Sequence, residues 1–250
     1  MAPTLNSAYS KDLSEFPHSG ETRVSHYGFL INEASLFKIS EITIVNPEDD
    51  IVLYTLIEKV GAFDQEQLME FVLDRADNEI SEEDIIKELL TSEIIDESKN
   101  TVAGRIALRE YSFIEENGDE VNSYQVAGVE TVKAIRQRGL CYRTYLFLLH
   151  WYTHLVCDDT QTIPGAKIWA GPLMRTGDVR IYNAKTAKFE DVLGEFGVGK
   201  NTGLIPWNRG KLLDMELSTW NPNRIQITVQ KFIVLVISRC SRIPVGLKIE

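Results

Sequence analysis

Arg136-Gln137-Arg138-Gly139-Leu140-Cys141 lies between a segment that reads as a strand, roughly Gln125 to Ile135, and one that reads as a helix, Tyr142 to about Trp151. The stretch has the ingredients of a pyrophosphate cradle. Glycine lets backbone approach a ligand closely, and the N–H groups at a helix start, at the positive end of its dipole, favour phosphate oxygens. The neighbouring arginines add positive charge.

Downstream, the apolar helix is followed by His154-Leu155-Val156-Cys157, which reads as a short strand, and by DDTQTIPGAKIW from Asp158 to Trp169. In that last piece Thr162 is placed to cap a helix whose first turn tolerates Pro164. RQRGLC resembles the acetyl-CoA signature of the GNAT acyltransferases: Gln or Arg, two residues, Gly, one residue, then Gly or Ala. It departs from that pattern at Cys141, a small residue that still lets the loop tighten. The order strand, signature, helix, strand, helix is similar to the acetyl-CoA half of a GNAT domain. The DxxQTxxGxxIW form of residues 158–169 resembles phage-encoded GNAT-like proteins in particular. The resemblance spans roughly residues 100 to 192 and leaves both ends of the chain uncovered.

The resemblance implies an α/β fold with a central mixed, mostly antiparallel sheet flanked by helices, and with N- and C-terminal extensions. It implies acetyl-CoA, or another acyl-CoA, as cosubstrate. The acyl group would pass directly to an amine acceptor, either a small molecule or a host protein, in the host cytoplasm if the chain is phage-encoded. Carried onto this sequence, the cofactor contacts are Val132, Ala134, Ile135, Arg136, Gln137, Arg138, Gly139, Leu140, Cys141 and Tyr142. A lysine-like amine with a pKa near 10.4 must lose a proton before it attacks a thioester, so a base is required. The family often uses a glutamate on the strand before the signature, and Glu130 occupies that strand here. Many members place a tyrosine on the helix after the next strand to protonate the leaving thiolate, but Trp169 falls at that position, and indole is no useful acid at neutral pH. The alternative is a non-catalytic interaction protein on a GNAT scaffold that engages a host protein through an acidic segment.

That acidic segment is visible in the charge pattern. The 250 residues carry a net charge of −11, with 44% hydrophobic and 25% charged residues, ordinary for a globular protein. Residues 61–100 hold thirteen Asp/Glu against three Lys/Arg, whereas 131–250 hold seventeen Lys/Arg against nine Asp/Glu. A polyanionic cofactor is drawn to the second part and a positively charged partner to the first. The chain is expected to be cytoplasmic, with no membrane or nucleic-acid partner: the start lacks the pattern of a signal peptide, and the apolar runs at 145–157 and 232–237 are too short to span a bilayer. Cys141, Cys157 and Cys240 form no metal or disulfide spacing.

Residues 1–27 are expected to form a loosely ordered arm, 28–192 the acyl-CoA-binding domain, and 193–250 a Gly-rich loop and terminal strand packed on it. Strands are predicted at 41–45 and 51–56, around the turn at Asn46-Pro47. A helix is predicted from Asp64, with Phe63 and Leu68 as a hydrophobic staple and Leu68, Met69, Val72, Leu73 and Ala76 at helical spacing. A second helix opens at Ser81, with Ile85, Ile86, Leu89 and Leu90 on one face. Glu116-Asn117-Gly118-Asp119 signals a hairpin between strands at 102–114 and 121–135. A further hairpin is expected at 179–192, and a terminal strand near 225–238.

Two further motifs fall short of a function. GEFGVGKN, Gly194 to Asn201, approaches a nucleotide phosphate loop, but Asn201 stands where Ser or Thr must hold magnesium, and Gly203, Pro206 and Gly210 preclude the helix that should follow. His150 and His154 would share a face on one helix, yet no third metal ligand is evident. Tyr145, Leu148, Leu149 and Tyr152 read as core.

Overall fold

The computed structural model describes residues 11–136, 139–207, 232–240 and 247–249. It is an α/β protein whose strands are mostly antiparallel. Packing divides the chain into two compact units, and β4 (Thr101–Ile114), β5 (Glu120–Thr131) and α3 (Leu140–Trp151) each contribute to both.

One unit comprises Ser10–Ala107, Val129–Phe147 and Pro244–Glu250. Its strands are β1 (Thr22–Asn32), β2 (Ser35–Ile44), β3 (Ile51–Lys59), the start of β4 (Thr101–Ile114), the end of β5 (Glu120–Thr131) and β10 (Leu247–Ile249). They are bonded in the order β10-β1-β2-β3-β4-β5. A two-residue turn joins β1 to β2, with Glu33 and Ala34 both at positive φ, 47° and 54°. This is the backbone whose twist suits a hairpin. Helices α1 (Gln65–Asp77) and α2 (Glu82–Thr91) follow β3. Asp64 caps α1 by accepting from the Glu66 and Gln67 amides, and Ser81 caps α2 by accepting from the Asp84 amide. Leu68 and Val72 of α1 and Ile85, Ile86 and Leu89 of α2 pack with Phe29, Leu36, Val60 and Ala62 into one core. Each Val, Leu, Ile or Phe side chain among them, removed from water, stabilises the fold by about 1.5–3 kcal/mol.

The chain is tied down earlier than the sequence suggests. β1 starts at Thr22, inside the segment read as a loose arm, and the residues before it are held from β4. Arg105, 1% exposed, donates from Nη1 to the Glu15 carbonyl at 2.9 Å and from Nη2 to the Asp12 carbonyl at 3.0 Å. Its guanidinium lies 5.7 Å from the Tyr54 ring centroid, and Phe16 meets the same ring edge-on at 5.2 Å.

The other unit comprises Met1–Tyr9, Leu108–Gly128 and Leu148–Ile243. It continues β4 and β5, joined by the turn predicted at 116–119, and adds β6 (His154–Val156), β7 (Val179–Asn183), β8 (Lys188–Val192) and β9 (Ile233–Ser238). The order is β4-β5-β6-β9-β7-β8. Strand β9 therefore returns from near the C-terminus to lie between β6 and β7, buried from Ile233 through Ile237. Its predicted beginning at 225–231 lies outside the described residues. Among the described pairings only β5–β6 is parallel, with Tyr124 opposite Leu155 and Gln125 opposite Val156. Connecting them is α3 (Leu140–Trp151), as a parallel crossover requires. Helix α4 (Ile163–Ile168) follows β6, capped by Thr162, and runs on into a wider turn at Trp169–Leu173 that contains Pro172. No helix among the described residues is long and apolar enough to cross a membrane.

Candidate functional site

Strand β5 ends at Thr131, four residues before the predicted boundary, because the Val132 amide turns to bond the Ala103 carbonyl and Lys133–Ile135 wind into a single 3-10 turn. Gly139 then adopts φ +82°, a left-handed backbone that favours glycine, and α3 begins at the next residue. A Cβ on Gly139 would meet nothing closer than Asn32 Oδ1 at 4.0 Å, so the glycine answers to backbone conformation rather than crowding. The amides at the start of the twelve-residue α3 lie beyond the reach of its own carbonyls, the condition for receiving an anion.

The predicted cofactor residues divide by exposure. Ala134, Arg136 and Gly139 are exposed, Val132, Ile135, Cys141 and Tyr142 are half-buried, and Leu140 is buried, which leaves only its backbone for a ligand. Gln137 and Arg138 lie outside the described residues. The cationic side chains are engaged in a way the sequence does not reveal. Arg136 folds back on β5, donating from Nε to the Thr131 carbonyl at 3.0 Å and from Nη2 to Glu130 Oε1. Arg143, one turn into α3, donates to Glu82 Oε1 at 2.7 Å, and the same carboxylate oxygen accepts the Ile31 amide at 2.7 Å. Among the described residues, the two guanidiniums near the turn, those of Arg136 and Arg143, are thus paired with carboxylates. Glu130 is largely buried, its side chain 14% exposed, while that of Arg136 is 53% exposed. Burial, reinforced by the negative charge of Glu130, pushes the Cys141 thiol up to about 11. It stays protonated at neutral pH and is no nucleophile.

A polar cluster stands beside the β5–β6 pairing. Gln125 is 1% exposed. It donates from Nε2 to the Cys157 carbonyl at 2.8 Å and to Asp159 Oδ1 at 3.2 Å, and it accepts from Arg109 Nε at 2.8 Å. Arg109 also bonds Asp159 Oδ2 at 2.6 Å. Burial raises the neighbouring Asp158 carboxyl to about 7, against the opposing pull of Arg109. Burial, with the charge of Asp159, likewise raises the Tyr111 hydroxyl to about 12. The sequence gives no sign of this cluster, because its members are scattered over fifty positions and meet only when β4, β5 and β6 align.

The remaining motifs take structural roles. Around Gly194–Asn201 the chain wraps its own carboxylate. Asp191 accepts the amides of Val192 (2.7 Å), Asn201 (3.0 Å) and Thr202 (2.7 Å), the Asn201 Nδ2 group (2.9 Å) and the Thr202 hydroxyl (2.7 Å). A Cβ on Gly199 would come within 2.5 Å of Asp191 Oδ2, which is why glycine stands there. The loop's own amides also bond within the chain, those of Gly194, Gly197, Gly199 and Lys200 donating to the carbonyls of Val198, Gly194, Leu204 and Val192. His150 and His154 do not share a helix: α3 stops at Trp151, and His154 belongs to β6, where its Nδ1 meets the Ser238 hydroxyl at 2.9 Å. No cluster of metal-ligating side chains occurs among the described residues. Trp169 is 2% exposed, a core residue of the segment after α4.

No known protein family, curated protein or solved structure matches the chain.

Proposed function

We propose that the chain is a GNAT-like acyltransferase that takes acetyl-CoA or another acyl-CoA on the β5–α3 turn and passes the acyl group directly to an amine. The observation that carries this reading is the left-handed Gly139 at the head of a full-length helix, followed by a strand laid parallel to the one before the turn. That backbone offers amides to a diphosphate without help from side chains. The bound acyl-CoA supplies an activated thioester. Arg136 contributes the mobile charge: its guanidinium has two competing anions, Glu130 and the diphosphate. When phosphate oxygens draw Arg136 away, the Glu130 carboxylate is freed to take the proton of the acceptor ammonium, and the neutral nitrogen attacks the thioester carbonyl. The C–N bond forms, the C–S bond breaks, and the thiolate is protonated by water, since neither Trp169 nor the Cys141 thiol serves as its acid.

Calorimetry with acetyl-CoA tests the cradle. Gly139→Glu forces a side chain onto a left-handed backbone and sets a negative charge beside the phosphates. Affinity should fall at least about tenfold with the melting curve retained. Equal affinities in the two folded proteins, or no binding by the wild type, would remove acyl-CoA from the account. A second reading rests on the buried Trp169 and on the Arg136 pairing of Glu130: a scaffold that binds a partner protein and does not turn over. Thiol release against a panel of amines separates the two.

A further inference from the structure

Helix α1 has two sides of opposite character. Leu68 and Val72 face the core, and Arg75 is held by Glu88 Oε2 at 2.8 Å and Asp74 Oδ2 at 2.8 Å. Next to that core face Met69, Leu73 and Ala76, one helical turn apart, are all exposed, Met69 by 44% and Leu73 by 47%. The 100° step of a helix sets Glu66, Glu70 and Asp77 in a row alongside that stripe. Elsewhere in this acidic segment the basic residues are matched to carboxylates: Arg75 to Glu88, Lys87 to Glu83, Lys99 to Asp96. Along the stripe the sequence supplies no cation. Glu66 and Glu70 stand at i and i+4 with like charge, an arrangement that weakens a helix standing alone and is relieved by a cation from outside. Apolar residues of this size, exposed at helical spacing and edged by one sign of charge, mark a docking face rather than a solvated one.

We propose that the Met69–Leu73–Ala76 stripe of α1 docks a basic amphipathic helix of a partner protein, its apolar residues on the stripe and its lysines or arginines against Glu66, Glu70 and Asp77. Charge complementarity selects this occupant: an acidic or neutral helix would leave the carboxylate row desolvated and unpaired. The surface lies wholly within one unit and does not depend on acyl-CoA, so it goes beyond the enzymatic reading and stands or falls separately.

The test uses two synthetic peptides of about 18 residues, made of leucine and lysine in equal composition. In one the leucines fall on a single helical face; in the other they are dispersed around the helix. Fluorescence anisotropy with the full chain should show the one-faced peptide binding at least about tenfold more tightly, with affinity falling steeply between about 50 and 500 mM salt. The double variant Met69→Gln, Leu73→Gln should lose the preference between peptides. The triple variant Glu66→Gln, Glu70→Gln, Asp77→Asn should bind more weakly and with a flatter salt dependence. All five positions are exposed, and unchanged melting curves will show that the fold survives. Equal binding of the two peptides, no binding of either, or variants that behave as wild type would overturn the proposal. So would sedimentation showing that the wild type self-associates through the stripe and that the double variant does not.

Discussion

Arg136 and Glu130 hold each other, and this pairing makes a prediction that a simple general base would not. Glu130→Gln keeps the shape of the side chain but removes its charge, so Arg136 is left with weaker competition for a diphosphate. Single-turnover rates at neutral pH should fall by roughly 10²–10⁴ while the affinity for acetyl-CoA rises. At high pH part of the rate should return, because an amine near its own pKa of about 10 loses its proton unaided. A variant with unchanged rate across the pH range would clear Glu130 of the role, and an unchanged affinity would show that Arg136 does not exchange partners. Half of this arrangement is legible in the sequence. The strand, the glycine and the helix start around Gly139 are legible, because they are local features. The return of Arg136 onto Glu130 is not legible, since it depends on the 3-10 turn at Lys133–Ile135, which the strand pattern through Ile135 conceals. The Trp169 departure from the family pattern is visible in the sequence, but its burial is not.

Among the elements, the loop around Asp191 gives a prediction with a definite sign. Partial burial works against the Asp191 charge, but hydrogen bonds from Thr202, Val192 and Asn201 outweigh it and bring the carboxyl down to about 2. A depressed folded-state pKa stabilises the protein fully above the ordinary carboxylate value and ceases to do so as pH falls through the folded value. Asp191→Asn turns one acceptor into a donor facing amides and should cost about 2–4 kcal/mol at pH 7. The gap to wild type in denaturant titrations should narrow as pH drops from about 4 toward 2. Lys200→Ala, at an exposed position in the same loop, should leave stability unchanged, and neither protein should bind magnesium-ATP. Saturable ATP binding, or a gap that widens in acid, would contradict this account of the loop. Other elements show what sequence can signal. The hairpin at 116–119 carries Asn-Gly and is legible, while the β1–β2 hairpin turns on Glu33-Ala34, two residues that rarely take positive φ, and the pattern gives no hint of it. In α1 the helical period is right but its phase is only half informative. Leu68 and Val72 are core, whereas Met69 and Leu73 are exposed, and Phe63, 67% exposed with the Lys99 ammonium 5.1 Å from its ring, does not close the expected staple.

At the scale of the whole molecule, local patterning reaches individual strands, helices and hairpins, the α/β class with a mostly antiparallel sheet is what the resemblance implies, and the placement of β9 between β6 and β7 is signalled by neither, because no local signal says where a returning strand inserts. Long-range ties of this kind also shape how the chain is made. Arg105 grips the carbonyls of Glu15 and Asp12 from 90 and 93 positions downstream. At ordinary synthesis speeds of about 5–20 residues per second, the leading segment emerges roughly 5–20 s before the residue that will hold it. During that interval β1, β2 and β3, whose partners are close in sequence, are free to pair. Once β4 arrives, the guanidinium closes over chain that has been waiting. Arg105→Met should therefore leave the sheet folded but expose residues 11–21 to limited proteolysis, with cleavage at least about tenfold faster than in wild type and the fragment from Thr22 onward surviving. Equal cleavage rates would mean that the start of the chain is held by its apolar contacts alone. In a nascent chain, the same segment stays open to processing enzymes and chaperones until Arg105, some ninety positions behind it, has been made.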